Sequence, residues 1–224
     1  MNIKHHLDEA SLLSYAAGSM SQSMALVAAC HLSMCPQCQE RAQKSEAIGG
    51  VLLDSLAPAA LNENSLDQVM AMLDDEPSVD IAVPKRVSSK RAGADQTDLP
   101  FPLGEYIDGS LDSIAWKRIV PGVYCYDLPC KSERGGVSRL LRIAPGKSML
   151  PHSHDGNELT LILRGSFSDE IGRFTVGDIA DLDSEIEHQP LVDSDEDCIC
   201  LIATDAPLRF STLLGKIVQP MTGF

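Results

Sequence analysis

The sequence predicts a multidomain α + β protein. A small N-terminal helical bundle spans residues 1–78, a flexible linker 79–99, and a C-terminal β-barrel or jelly roll 100–224. Three observations predict it. The first half sets apolar residues at helical spacing around His31, Cys35 and Cys38, whose offsets suit a metal. Between Pro77 and Pro100 no period of 2 or 3.6 survives. From Phe101 onward, short β-rich runs are divided by Gly, Pro and Asp, the spacing of an all-β sandwich or barrel.

Composition narrows the function. The chain has 224 residues, a net charge of −14 and 4% aromatic residues, so its cores are aliphatic. Phosphate neutralisation needs a basic surface, which argues against direct nucleic-acid binding. The acidity suits a partner with basic surfaces of its own. No run approaches the ~18 apolar residues of a membrane-spanning helix, and the N-terminus lacks the apolar core and cleavage site of a signal peptide. Seven cysteines, two of them at metal-ligand spacing, fit reduced thiols in a cytoplasm better than a disulfide framework.

Asp8 caps a first helix with Leu12, Leu13, Tyr15 and Ala16 towards one side, and Gly18 stops it. Ser21 or Ser23 opens a second helix, in which Met24, Leu26, Val27 and Ala28 lead to His31. Pro36 suits the first turn of a third helix, where its missing N–H costs nothing. That helix runs through Arg41 and Ile48 towards Leu53 and Leu56 despite Gly49-Gly50, and Pro58 punctuates it. Asn64 or Ser65 caps a fourth helix, with Leu66, Val69, Met70 and Leu73 on one face. That stripe reads either as ordinary core or as a face offered to a partner protein.

His31, Cys35 and Cys38 stand at i, i+4 and i+7. On a helix, or one broken briefly at Pro36, they share a face within about two turns. Imidazole and thiolate are zinc ligands, and a closed structural site needs four. The fourth is sought in the His5-His6 pair. The plainer alternative is a buried histidine beside two inert cysteines. Zinc would close such a small unit well, since it contributes on the order of 10–16 kcal/mol in metal-folded peptides. A helical neighbour points about 100° away, which leaves Cys30 out of the ligand set.

The His-x3-Cys-x2-Cys motif with a histidine near the N-terminus resembles the zinc-binding anti-sigma domain. The resemblance implies that His31, Cys35, Cys38 and His6 hold zinc, with His5 the lesser choice for the fourth position. It also implies that the helices grip an extracytoplasmic-function sigma factor.

In the linker, Lys85, Arg86, Lys90 and Arg91 are the basic cluster of an acidic chain. They read as solvated, or else as a contact to nucleic acid or to the acidic body of the same chain.

In the second half, residues 116–120, 122–127, 138–143, 160–163, 173–176, 179–182 and 198–203 are strand candidates. Among them lies Gly146-x5-His152-x-His154-x3-Glu158-x6-Gly165. His152 and His154 are two apart, so on a strand both face the same way, into a barrel. Glu158 extends that face if the chain stays extended, and His188 follows a strand downstream. Three imidazoles and a carboxylate suit zinc, iron, manganese, nickel or copper. The alternative is histidines at strand ends with no metal.

The first of these motifs matches the cupin family without a gap. The second cupin motif fits loosely through Gly172, Gly177-Asp178 and His188, with Asp183-Ser-Glu-Ile-Glu where Pro-x-Gly is usual. Taken together, zinc anti-sigma domain, tether and cupin resemble the ChrR-type anti-sigma factors. The resemblance implies cytoplasmic residence, a 1:1 complex with an extracytoplasmic-function sigma factor, and no direct contact with nucleic acid or membrane. It also implies release of the sigma factor in an oxidative, singlet-oxygen-type response. Zinc is the expected ion in both domains, and no catalysis is expected. The competing function is a metal-dependent cupin dioxygenase or isomerase with a zinc-binding attachment; a metal store or scaffold is a third.

Of the other cysteines, Cys125 and Cys130 read as wall packing or as a redox pair. Cys198 and Cys200, at i and i+2 of one strand, resist a disulfide because extended geometry holds them apart. Asp193-Ser-Asp-Glu-Asp197 reads as a solvated turn.

Overall fold

The computed structural model describes residues 2–74, 98–130, 135–206 and 208–210. Almost all of the expected linker, with Lys85, Arg86, Lys90 and Arg91, lies outside the described residues. Four N-terminal helices precede an antiparallel β-structure. The chain forms two compact units, residues 1–47 with 96–224, and residues 48–95.

The helices start and stop where local chemistry says they should. Asp8 is the N-cap of α1 (Glu9–Ala16), its side chain accepting from the Ser11 amide at 2.6 Å, and Gly18 follows with φ +67°. Ser21 precedes α2 (Gln22–Met34). Cys35 is extended, at φ −114° and ψ 99°, and breaks the helix before Pro36 opens α3 (Pro36–Asp54). That break turns His31, on the last turn of α2, towards Cys35 and Cys38. α4 (Ser65–Asp74) follows a loop. Among the described residues, no helix is long and apolar enough to cross a membrane.

The strands are β1 (Lys117–Val120), β2 (Val123–Asp127), β3 (Ser138–Ile143), β4 (His152–His154), β5 (Glu158–Arg164) and β6 (Ser166–Ser168). They continue with β7 (Arg173–Thr175), β8 (Ile179–Leu182), β9 (Leu191–Val192), β10 (Cys198–Thr204) and β11 (Leu208–Phe210). A six-stranded sheet runs β1-β2-β3-β10-β5-β8; a three-stranded sheet runs β7-β6-β9, and β4 pairs with β11. All these pairings are antiparallel.

The central strands β3, β5 and β10 are buried on both faces, and β5 and β10 accordingly read as near-continuous apolar runs. The strand period of two sorts their side chains. Leu141, Ile143, Ile162, Cys198, Cys200 and Ile202 face the barrel interior with Phe167, Phe174 and Val192. Leu140, Leu159, Leu161, Leu163, Ile199 and Leu201 face the other way, into a core shared with Leu12, Leu26, Val27, Ala28 and Cys30 of α1 and α2. Helix α2 therefore lies over β5 and β10. Burying each such leucine or isoleucine contributes about 1.5–3 kcal/mol, so α1, α2 and the sheet share one core.

Cys125 packs in the barrel interior and Cys130 in the core beneath the helices, so they lie on opposite faces of the sheet. Cys198 and Cys200 are unbridged, and burial pushes both thiols up, Cys198 to about 12.

The acidic turn is only partly a solvated one. Asp195 and Glu196 are exposed, whereas Asp197 pairs with Arg142 at 2.7 Å. Asp193 accepts from Ser166, from Ser168 at 2.7 Å and from Arg173 at 2.7 Å, locking β9 onto β6 and β7. Burial raises the Asp193 carboxyl, but Arg173 and the two serines outweigh it and hold it down to about 2. A depressed carboxylate stabilises the fold above the ordinary aspartate range and loses that contribution as pH falls through its folded value. Asp193→Ala should thus cost about 1–3 kcal/mol at pH 7, and the deficit should shrink as pH falls towards 2. Urea denaturation of both proteins at pH 7 and pH 3 checks it; an equal deficit at both pH values contradicts the assignment.

Candidate metal centres

The first cluster assembles at the α2–α3 break. Ligand atoms of His6, His31, Cys35 and Cys38 all lie within 4.8 Å of one another. His6 Nδ1 is 3.3 Å from Cys35 Sγ and 3.6 Å from Cys38 Sγ. Tetrahedral zinc with its usual N and S bond lengths sets ligands roughly 3.3–3.8 Å apart, so the spacing fits. The Cys38 amide also points at Cys35 Sγ, 3.4 Å away.

His31 supplies the sharper test. Its Nδ1–H donates to the Gly177 carbonyl at 3.0 Å, so the lone pair sits on Nε2. That Nε2 is buried without a hydrogen-bond partner. Burial above all, with the His6 imidazole adding to it, pushes His31 down to about 4 against the pull of Gly177. The ring is therefore neutral at pH 7, the form that binds a metal. Burial and the neighbouring Cys35 push the Cys38 thiol up to about 11; thiolates there need a cation beside them.

What places His6 comes from far along the chain. Asp178 Oδ1 accepts from the amides of Lys4, at 2.6 Å, and His5, at 3.0 Å. Asp181 Oδ2 accepts from the Asp8 amide at 3.0 Å, and Arg41 Nη1 donates to the Leu7 carbonyl at 2.9 Å. His5 points elsewhere: its ring lies 4.2 Å from that of Phe174, with Nδ1 3.6 Å from Asp178. Cys30 is outside the cluster and packs towards Leu103.

The second cluster is inside the barrel and joins His152, Glu158 and His188, all buried. His152 and His188 form an antiparallel bridge that sets their rings 4.6 Å apart. The Leu150 carbonyl accepts from His152 Nδ1 at 2.8 Å, and Asp169 accepts from His188 Nδ1 at 3.0 Å. With both Nδ1 protons committed, two Nε2 lone pairs face each other at 3.1 Å beside a carboxylate. A cation relieves that repulsion, so the residues fit a metal. Thr160 Oγ1 donates to Glu158 at 2.9 Å and orients it. His154 ends β4, and its side chain lies outside the described residues.

Glu158 does not arrive along an extended β4 as the spacing suggested. The chain bends at Asp155-Gly156, and Glu158 opens β5 in another sheet. A side chain at Gly156 would collide with Asp205. Where Pro-x-Gly is usual, Asp183 makes the turn instead, accepting from the Glu185 amide at 3.0 Å. The cavity beside the cluster measures about 40 Å3 and is lined by Met149, Phe167, Cys198 and Cys200 among others.

Gly177, Asp178, Asp181 and Asp169 were invisible as site residues in the sequence. Gly177-Asp178 gave a turn signal and a place in the second cupin motif but no role at the helical cluster, because the amides that Asp178 serves are more than 170 positions away.

A family model described as a ChrR cupin-like domain matches residues 107–207. The anti-sigma-E factor ChrR of Cereibacter sphaeroides is 44% identical over 220 residues, 98% of each chain. The chain belongs to the ChrR family of anti-sigma factors. A crystal structure of Rhodobacter sphaeroides SigE in complex with the anti-sigma ChrR also matches, at 42% identity and a TM-score of 0.73. The match covers 91% of this chain and 100% of that one. That match therefore spans both halves of this architecture.

Elemental analysis of the purified full chain should find an ion in each cluster. His31→Ala should remove one and His152→Ala the other, each leaving its counterpart in place. A wild-type chain that folds without metal at the first cluster would contradict the assignment.

Proposed function

We propose that this chain is an anti-sigma factor that holds an extracytoplasmic-function sigma factor inactive in a 1:1 complex. Family membership supports this, and so does one feature of the surface. Between residues 48 and 73 the large apolar side chains are exposed: Ile48, Val51, Leu52, Leu53 and Leu56 on and after α3, then Leu66, Val69, Met70, Met72 and Leu73 on α4. Val69 and Met70 are 55% and 53% exposed, and Leu66 and Leu73 stand further out. An apolar array of this extent marks a docking surface, and the i, i+3, i+4, i+7 stripe on α4 suits a helix laid into a groove. Of the two readings open for that stripe, the partner face is the better supported.

His6, His31, Cys35 and Cys38 would hold the first ion, taken as zinc from the two imidazoles and two sulfurs. Zinc bound there supplies a cross-link among the N-terminal segment, α2 and α3. His152, Glu158 and His188, with His154, would hold the second divalent ion, taken here as zinc as well. The helical region, residues 1–78, performs the binding; the barrel, 100–224, governs release in an oxidative, singlet-oxygen-type response; the linker, 79–99, tethers the sigma-binding face. Family membership supports work in the cytoplasm. A dioxygenase or isomerase would need room for substrate beside the second cluster, and a cavity of about 40 Å3 is small beside the several hundred Å3 of ordinary ligand pockets.

Full-length chain should co-purify with a co-expressed extracytoplasmic-function sigma factor as a 1:1 complex. Val69→Asp with Met70→Asp should weaken that complex at least about tenfold, since about 1.5–3 kcal/mol is lost per buried apolar side chain, while metal content stays unchanged. Cys35→Ser should abolish both. His152→Ala should keep binding and lose the response to the oxidant. If no such sigma factor binds the metal-loaded chain, the proposal fails.

A further inference from the structure

One short stretch of the barrel touches both clusters. At its start, Asp169 Oδ2 accepts from His188 Nδ1 at 3.0 Å, while Oδ1 accepts from the amides of Ile171 and Gly172 at 2.9 and 3.1 Å. One carboxylate therefore fixes the pose of His188 and the shape of the turn into β7. Gly172 follows, so close to His5 that a Cβ there would stand 3.3 Å from His5 Nε2. Phe174 sits 4.2 Å from the His5 ring and 4.9 Å from Phe167, which lines the cavity of the second cluster. At the end, Asp178 Oδ2 accepts from the Thr175 amide and hydroxyl at 2.8 and 2.9 Å, and Oδ1 from the Lys4 and His5 amides. Next to it, the Gly177 carbonyl accepts from His31.

We propose that residues 169–178 form the physical link between the two metal centres. Asp169 and Asp178 are its positioning residues: the first reads the pose of His188, and the second, with Gly177, sets the grip on His6 and His31. The proposal rests on reading both clusters as metal centres and the barrel as the responsive half. Both carboxylates divide their oxygens between the turn that shapes the segment and a residue belonging to, or adjoining, a ligand. Neither can follow a moving partner without moving the segment. When His188 turns, the 169–172 turn moves with it, and the displacement reaches the His5 ring and the amides that hold the N-terminal segment. Coupling of this kind is reciprocal, so loss of the helical ion should in turn loosen His188.

The test uses the full chain loaded with zinc and needs no sigma factor. Zinc release to a competing chelator and hydrogen exchange of the Lys4 and His5 amides are measured together. Emptying the barrel through His152→Ala should weaken zinc binding at the helical cluster, read at equilibrium against the chelator, at least about fivefold, the lower end of measured couplings, and raise exchange of both amides. Asp169→Asn, which touches neither His6 nor His31, should do the same, and combining it with His152→Ala should add nothing. That non-additivity is the signature a general loss of stability would not give. Asp178→Asn should free the two amides and abolish the dependence on the barrel; should it not fold, Thr175→Val, which removes the hydroxyl donor, takes its place. If Asp169→Asn loosens the barrel ion yet leaves helical release and amide exchange unchanged, the link is refuted. A chain that shows the coupling but binds no sigma factor would instead refute the function and leave the link standing.

Discussion

The carboxylate of Asp178 is the group on which the N-terminal half depends. Residues before Leu7 add little to the core, yet they deliver His6 to a cluster whose other members sit on α2 and α3. The Lys4 and His5 amides hold them there by donating to Asp178, against which burial works. Burial raises that carboxyl, but the amides of His5, Lys4 and Thr175 with the Thr175 hydroxyl outweigh it and hold it below the usual carboxylate range. It stays charged at neutral pH because it accepts several donors at once. The adjacent Gly177 carbonyl fixes the tautomer of His31. A two-residue turn of the barrel thus positions two of the four candidate ligands of the helical cluster.

The sheet makes this possible. Because β3, β5 and β10 are apolar on both faces, the barrel has an inner core around one cluster and an outer face that α2 covers. The helices that would bury too little area alone borrow the outer face of the sheet. Meanwhile α4 and the second half of α3 keep their apolar residues exposed, and a regulator that must let go of its partner has use for such a surface.

Both clusters follow one principle in building a metal site. A backbone carbonyl or a carboxylate accepts a hydrogen bond from the Nδ1–H of a histidine, and the Nε2 lone pair is left aimed inward. At His31 it is buried and unpartnered, and at His152 and His188 two lone pairs oppose each other. These are positions that the ordinary stability of a folded chain does not reward, and a cation at each would satisfy them.

Much of this was legible in the sequence. His31, Cys35 and Cys38 are close in the chain, so helical geometry and the break at Pro36 bring them together whatever the rest does. The apolar runs of β5 and β10, the Asp8 cap and the His152-to-Glu158 motif are likewise local. The Asp155-Gly156 bend and the Asp193 lock were not, and the choice of His6 over His5 came from the family resemblance rather than from local pattern. Each depends on a partner beyond the segment: Asp205, the β6–β7 serines and arginine, and Asp178. Sequence by itself determined the elements and the ligand types, because backbone preference and side-chain period act over a few residues. Only the tertiary structure decided that α2 lies on the sheet and that residues 169–178 reach both clusters, because those contacts join positions with no local pattern in common.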